Sequence, residues 1–168
     1  MRTLLIPLAL FFSFIITGFI PIENDEIKTF ILIRHAEKVD DSRDPDLSES
    51  GKERAILLNQ LLVNVQPDAI YTSPYIRTQE TIRHIAHRNQ LKPVIYDPQA
   101  QNQLVKEWLE ENNGFTFIIS GHSNTIPELA NLLLNRTHFE DHFDESDYGN
   151  LLIITVSKND AKMLHLRF

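Results

Sequence analysis

Two histidines and two arginines stand where hydrophobic segments of this chain give way to polar sequence. Arg34-His35 follows the apolar run Thr29–Ile33, Arg77 comes shortly after Ala69-Ile70-Tyr71, and Gly121-His122 follows Phe115–Ile119. Brought together, these residue types suit one chemistry. A phosphoryl group carries its charge on three equatorial oxygens, and the rigid fork of an arginine matches that geometry. A neutral imidazole attacks phosphorus and forms a covalent phosphohistidine, provided its other nitrogen donates to a carbonyl or carboxylate. Gly121 lets the backbone approach a ligand closely, and the helix start that follows adds N–H donors. With the cations built into the chain, this chemistry calls for no metal.

The surrounding pattern says which elements would hold these groups. Thr29–Ile33 is continuously apolar, as in a strand covered on both faces. Ser48 or Ser50 is placed to cap a helix, Ser50-Gly-Lys-Glu53 matching a capping box, and Ala55, Leu58, Leu61, Leu62 and Val65 recur at helical spacing. Ala69–Tyr71 reads as a second strand. Ser73-Pro74 reads as cap and first residue of a helix through Arg77, Thr81 and Ile85. Val94–Tyr96 is a third strand, 99–111 a third helix with Trp108 as a core anchor, and Phe115–Ile119 a fourth strand. Asn124–Leu134 is helical, with Pro127 in the first turn where its missing N–H costs little. A polar, acidic stretch from His138 to Asn150, read as a solvated loop, precedes two closing strands, Leu151–Val156 and Met163–Phe168. Strands alternating with helices predict a three-layer α/β/α sandwich around a mostly parallel sheet. In such sheets ligands collect beyond the carboxyl ends of the strands, where the cationic and imidazole groups lie.

The chain has 168 residues, the size of one domain, and no cysteine, which excludes thiol nucleophiles, cysteine-ligated zinc and iron–sulfur clusters. Sixteen basic and 23 acidic residues give a net charge of −7, which argues against nucleic-acid binding. A phosphate site must therefore be a local cationic patch in an acidic body. The amino terminus differs from the rest. Met1-Arg2-Thr3 precedes an apolar run from Leu4 to Ile22, and Glu23 is the first acid. One positive charge before a hydrophobic run reads as an export signal, and about 20 apolar residues span a bilayer, so residues 1–22 are a signal peptide or an amino-terminal membrane anchor. Residues 23–27 then form a linker to a domain over 28–168, placed outside the cytoplasm, periplasmic or secreted and possibly attached to the membrane through residues 4–22.

Four blocks in order carry a family resemblance. Arg34-His35-Ala36-Glu37-Lys38, Leu47–Gly51, Tyr71-Thr-Ser-Pro-Tyr-Ile-Arg77-Thr78-Gln-Glu-Thr81 and Gly121-His122-Ser123-Asn124 resemble the signatures of the histidine phosphatase superfamily, also called phosphoglycerate mutase-like. The resemblance implies that His35 is the phosphorylated nucleophile. It implies that Arg34 and Arg77 bind substrate, and that His122 stabilises charge on the transferring group. It implies no cofactor and a small phosphorylated substrate. Ala36 stands where glycine is commoner, which is tolerated if the backbone there is not at positive φ.

The acid that protonates the leaving group stays open. Glu37 is one candidate, facing the same side as His35 if the strand continues that far. Asp97 at the end of the third strand and Glu128 one turn into the helix after His122 are others. The short segment between Arg77 and His122 leaves little chain to cover a pocket, so water reaches the phosphohistidine and hydrolysis is favoured over transfer. The resemblance also leaves room for a phosphohistidine protein phosphatase, and the unassigned acid for a module that binds a phosphorylated ligand without turning it over. Two histidine pairs, His84 with His87 and His138 with His142, have metal-ligand spacing along the chain but no evident third ligand.

Overall fold

The apolar run after Lys28 becomes the middle of a sheet. The computed structural model describes residues 26–111 and 113–168. In chain order the elements are β1 Lys28–Arg34, α1 Glu49–Leu61, β2 Ala69–Thr72, α2 Ile76–Arg88, β3 Val94–Ile95, α3 Gln101–Glu110, β4 Phe115–Gly121, α4 Thr125–Leu134, β5 Asn150–Val156 and β6 Ala161–Arg167. The sheet runs β3-β2-β4-β1-β5-β6. β3, β2, β4 and β1 are parallel to their neighbours, while β5 and β6 join antiparallel, so the sheet is mixed. Phe30 to Ile33 are buried without alternation because helices cover both faces.

The two faces have separate cores. On one, Phe30, Leu32, Phe117 and Ile119 pack against Val105 and Trp108 of α3 and Ile126, Leu129 and Leu133 of α4. Trp108 is the core anchor expected, its ring 4.8 Å from that of Tyr71 and 5.5 Å from that of Phe30. On the other, Ile31, Ile33, Ile70 and Ile118 meet Leu58 and Leu62 beside α1 and Ile82 and Ile85 of α2. This is the predicted α/β/α sandwich.

Some local expectations are corrected. Ser48, not Ser50, caps α1, its hydroxyl accepting from the Gly51 N–H at 3.1 Å, so the Ser50–Glu53 box is not formed. Leu61, expected in the buried stripe, is exposed. β3 keeps only two residues, and α3 is shorter at both ends than predicted. Gly51 lies so close to the Glu37 carbonyl that no side chain fits there, which is how the start of α1 presses against the chain leaving β1. The leader or anchor expected over 1–22 and the first part of the linker lie outside the described residues. Among the described residues no helix is long and apolar enough to cross a membrane.

Register decides what meets at the sheet edge. Arg34 of β1 pairs with Gly121 of β4, and Ser120 of β4 with Thr72 of β2. The residues that follow, His35, His122 and Ser73, therefore leave three adjacent parallel strands side by side.

Candidate active site

His35 is held before it does anything. Its N–H donates to the Gly121 carbonyl at 2.9 Å, and the next N–H, that of Ala36, to the Thr81 hydroxyl at 2.9 Å. Ala36 is not among the positive-φ residues, so the absent glycine costs nothing there. The His35 ring lies 2.8 Å through Nδ1 from the Ala36 carbonyl oxygen. A carbonyl only accepts, so Nδ1 carries the proton and Nε2 keeps a free lone pair. Burial, opposed by that hydrogen bond and reinforced by the charges of His122, Arg34 and Arg77, holds the His35 pKa down to about 3.

His122 stands beside it, the ring centroids 5.4 Å apart. Burial first, then Arg77 and Arg34, lower its pKa to about 4 against the opposing charges of Glu145 and Asp44. Its Nδ1 lies 3.4 Å from an Arg77 terminal nitrogen and its Nε2 2.9 Å from the Ser73 hydroxyl. Guanidinium only donates, so in this state Nδ1 accepts and Nε2 donates to Ser73. Ser73 in turn bonds the Thr78 hydroxyl at 2.9 Å, and Thr78 donates to the Tyr75 carbonyl at 2.8 Å. Ser73 was expected to cap α2; Tyr75 occupies that position without a side-chain bond, and Ser73 serves His122 instead.

Removing the Ser73 hydroxyl leaves a buried imidazole nitrogen unpaired, at a cost of about 1–3 kcal/mol. We expect Ser73→Ala to lower turnover about ten-fold or more and to give mixed His122 tautomers by nitrogen NMR. Thr78→Val, one bond further away, has a weaker effect of the same kind. A Ser73→Ala protein with wild-type rate and a single tautomer excludes this role.

The two depressed imidazoles also fix a pH dependence. Above about pH 6.5 both rings are neutral in folded and unfolded chain and add nothing. As the pH falls below that value, the unfolded chain takes up protons that the folded one refuses, so stability drops by up to about 1.4 kcal/mol per pH unit for each ring. Urea unfolding is expected to show a lower midpoint at pH 5 than at pH 7, with the loss shallower in a His35→Ala, His122→Ala double variant. Equal slopes in the two proteins would show that the rings take up protons when folded.

Arg77, in the first turn of α2, lies over the Tyr75 ring at 4.4 Å and 3.6 Å from the Asp44 carboxylate. Asp44 also accepts from the Ile76 N–H, tying the loop before α1 to the start of α2. Arg34 is 0% exposed and differs from its expected place: it does not open into the cleft through its terminal nitrogens. One of these donates to the Asp144 and Asp147 carbonyls at 2.5 and 2.9 Å, the other to the Glu145 carbonyl and carboxylate, both at 2.8 Å. Its face covers the Tyr148 ring at 4.3 Å. The stretch expected to be a solvated loop is thus fastened around a buried guanidinium. Arg34 Nε and Arg77 Nε and Nη1 are buried donors without hydrogen-bond partners.

The cleft beside these groups has a volume of about 750 Å³, and Lys38, Arg43, Gln99, Asn102 and Glu128 also line it. Of the acid candidates, Glu37 is corrected: the strand ends at Arg34, and the carboxylate turns to Arg54, with contacts of 2.7 to 3.0 Å. Burial raises its pKa, but the Arg54 bonds and charge outweigh this and hold it below the usual range. Asp97 accepts from the Gln99 N–H and shapes a turn outside the cleft. Glu128 lines the cleft, its carboxylate 3.4 Å from His142. Glu145 lines it too and was not singled out by the sequence. Among the described residues no group of three or more His, Cys, Asp or Glu converges as a metal site, and neither histidine pair acquires a third ligand.

The family model of the histidine phosphatase superfamily (branch 1) matches residues 30–109, from β1 through Arg77 into α3. Over those residues the chain is similar to the histidine phosphatase superfamily. Phosphoserine phosphatase 1 of Hydrogenobacter thermophilus is 42% identical over 74 residues, an alignment covering 40% of this chain and 35% of that protein. The chain thus spans about a third of the length of that curated relative. The protein histidine phosphatase SixA in complex with tungstate superposes with a TM-score of 0.68 at 13% identity, covering 83% of this chain and 96% of that one. A mycobacterial glucosyl-3-phosphoglycerate phosphatase does so with 0.65 at 14% identity, over 84% and 98%. At these identities the solved structures establish a shared fold.

Proposed function

We propose that this domain hydrolyses small phosphomonoesters through a phosphohistidine on His35, the positive charge coming from its own guanidinium groups. One observation carries the reading: two neutral imidazoles share a cleft edge with buried guanidinium donors that have no hydrogen-bond partner. Unpaired buried donors are costly, and a tetrahedral oxyanion is the ligand that relieves them. The similarity to the histidine phosphatase superfamily, and to proteins named as phosphatases of phosphoserine, protein histidine and glucosyl-3-phosphoglycerate, supports it.

In the first step His35 Nε2 attacks phosphorus while the bond to the leaving oxygen breaks. Arg77 takes up charge on the equatorial oxygens. As the anion draws the Arg77 donor away from His122, its negative charge lets His122 take up a proton from solvent at Nδ1, which donates to a phosphoryl oxygen while Nε2–H stays on Ser73. In the second step water attacks the phosphohistidine, the P–N bond breaks and phosphate leaves. The open cleft admits that water.

The test offers the purified protein para-nitrophenyl phosphate, a panel of phosphorylated metabolites and a phosphohistidine peptide, with and without chelator. Turnover that survives chelation, with an acid-labile phosphoenzyme in rapid-quench samples, is expected. Tight tungstate or phosphate binding with no phosphoenzyme and no turnover would make the protein a binding module instead.

We also infer that the domain works outside the cytoplasm. The apolar run Leu4–Ile22, between Arg2 and Glu23, supports this. β1 runs from Lys28 toward the cleft, so Lys28 lies at the end of the strand away from His35. Recovery of the full chain in the cytosolic fraction of expressing cells would overturn it.

A further inference from the structure

We propose that Glu145 is the carboxyl group that protonates the leaving oxygen, a role that rests on the hydrolase reading above. An alkoxide leaves phosphorus poorly unless a proton reaches it as the bond breaks. Neither imidazole supplies that proton. His35 Nδ1–H is bound to the Ala36 carbonyl, His122 Nε2–H to Ser73, and the proton that His122 takes up at Nδ1 to a phosphoryl oxygen. Three carboxylates of this edge are committed elsewhere: Glu37 to Arg54, Asp44 to the start of α2, and Asp97 to its turn. Of the two that line the cleft, Glu128 faces His142 at 3.4 Å.

Glu145 lines the cleft together with His35 and His122. One carboxylate oxygen accepts from Ser123, the residue after His122, and the other from Arg34, the residue before His35. Its charge acts on both His122 and Arg77. Its side chain is nonetheless 75% exposed, as a group that must exchange protons with water requires. The loop does not depend on that carboxylate. Arg34 holds the Asp144, Glu145 and Asp147 carbonyls, and the Phe143 N–H donates to the Ser123 carbonyl at 3.0 Å. The side chain can therefore change without unfastening the backbone.

In the resting site the carboxylate is paired with Arg34. A phosphoryl dianion beside it sets like charge against it, and a proton from solvent relieves this. As His35 Nε2 bonds to phosphorus and the P–O bond breaks, its electron pair stays on oxygen, which takes the Glu145 proton. Glu145, now a carboxylate, removes a proton from the water that attacks the phosphohistidine; the P–N bond breaks, its pair returns to Nε2, and phosphate departs with Glu145 protonated again.

Leaving groups of unequal basicity separate this role from a structural one. For Glu145→Gln, kcat/KM on an alkyl phosphate such as phosphoserine or glycerol phosphate is expected to fall roughly 10²–10³-fold. On para-nitrophenyl phosphate, whose phenolate leaves without help, the fall is expected to stay under about ten-fold. Glu128→Gln serves as the comparison. Equal losses on both substrates, a gain on both, or the selective loss appearing in Glu128→Gln would overturn the assignment while leaving the hydrolase reading intact. A wild-type protein that turns over neither substrate overturns both.

Discussion

Replacing His35 with alanine is expected to abolish phosphomonoester turnover, with a fall on the order of 10⁴-fold or more, and to remove the acid-labile phosphoenzyme. The size follows from what the ring supplies. Its Nε2 is the unprotonated nitrogen of a buried imidazole whose other nitrogen is fixed on the Ala36 carbonyl, and no thiol exists anywhere in the chain to replace it. His122 is no substitute, because its nitrogens face Arg77 and Ser73. The variant is expected to fold, since the backbone at this point is held by the Gly121 carbonyl and the Thr81 hydroxyl, neither of which uses the imidazole. It therefore still binds tungstate or phosphate, while rapid-quench samples show no label on protein. Turnover within ten-fold of wild type would mean that water attacks the phosphomonoester directly. The covalent route would then be wrong, although the anion site would stand.

How much of this was legible from the sequence depends on where each partner lies. The three apolar runs and the polar residues ending them already placed Arg34, His35 and His122 at strand ends, because a run buried on both faces admits no other reading at that length. Register then did the rest, and equal strand lengths in β1 and β4 brought the two histidines level. What failed to show had partners far along the chain. Ser73-Pro74 looks locally like a helix cap, yet its partner is His122, a strand away in space. Glu37 shares a side with His35 only in an extended strand. The chain turns after Arg34, and Arg54, a helix later, captures the carboxylate. Glu145 sits in an acidic stretch without periodicity, and only a buried arginine at the end of β1 gathers that stretch against the site. A side chain that is itself a binding site for backbone carbonyls leaves no pattern in the sequence it binds.

Arg77→Ala is expected to lower kcat by roughly 10²–10³-fold, a loss concentrated in the transition state. The distinction from Arg34 is geometric. Arg34 spends its terminal nitrogens on the loop, whereas Arg77 keeps two buried nitrogens without hydrogen-bond partners, its charge opposed by Asp44 at 3.6 Å and by Glu145. Charge moves on to the equatorial oxygens as the phosphoryl group passes to His35, and a fixed guanidinium gains most at that moment. Arg77→Lys keeps the charge but not the planar fork or the contact with the Tyr75 ring, so it recovers only part of the rate. Added guanidinium is expected to rescue the alanine variant and not the lysine one, because only the alanine variant leaves a vacancy of matching shape. Rates for Arg77→Ala within ten-fold of wild type would shift the burden of charge stabilisation to Arg34. Since its terminal nitrogens are held by the loop, the loop would then have to open during each turnover, and hydrogen exchange at 143–148 would rise with substrate present.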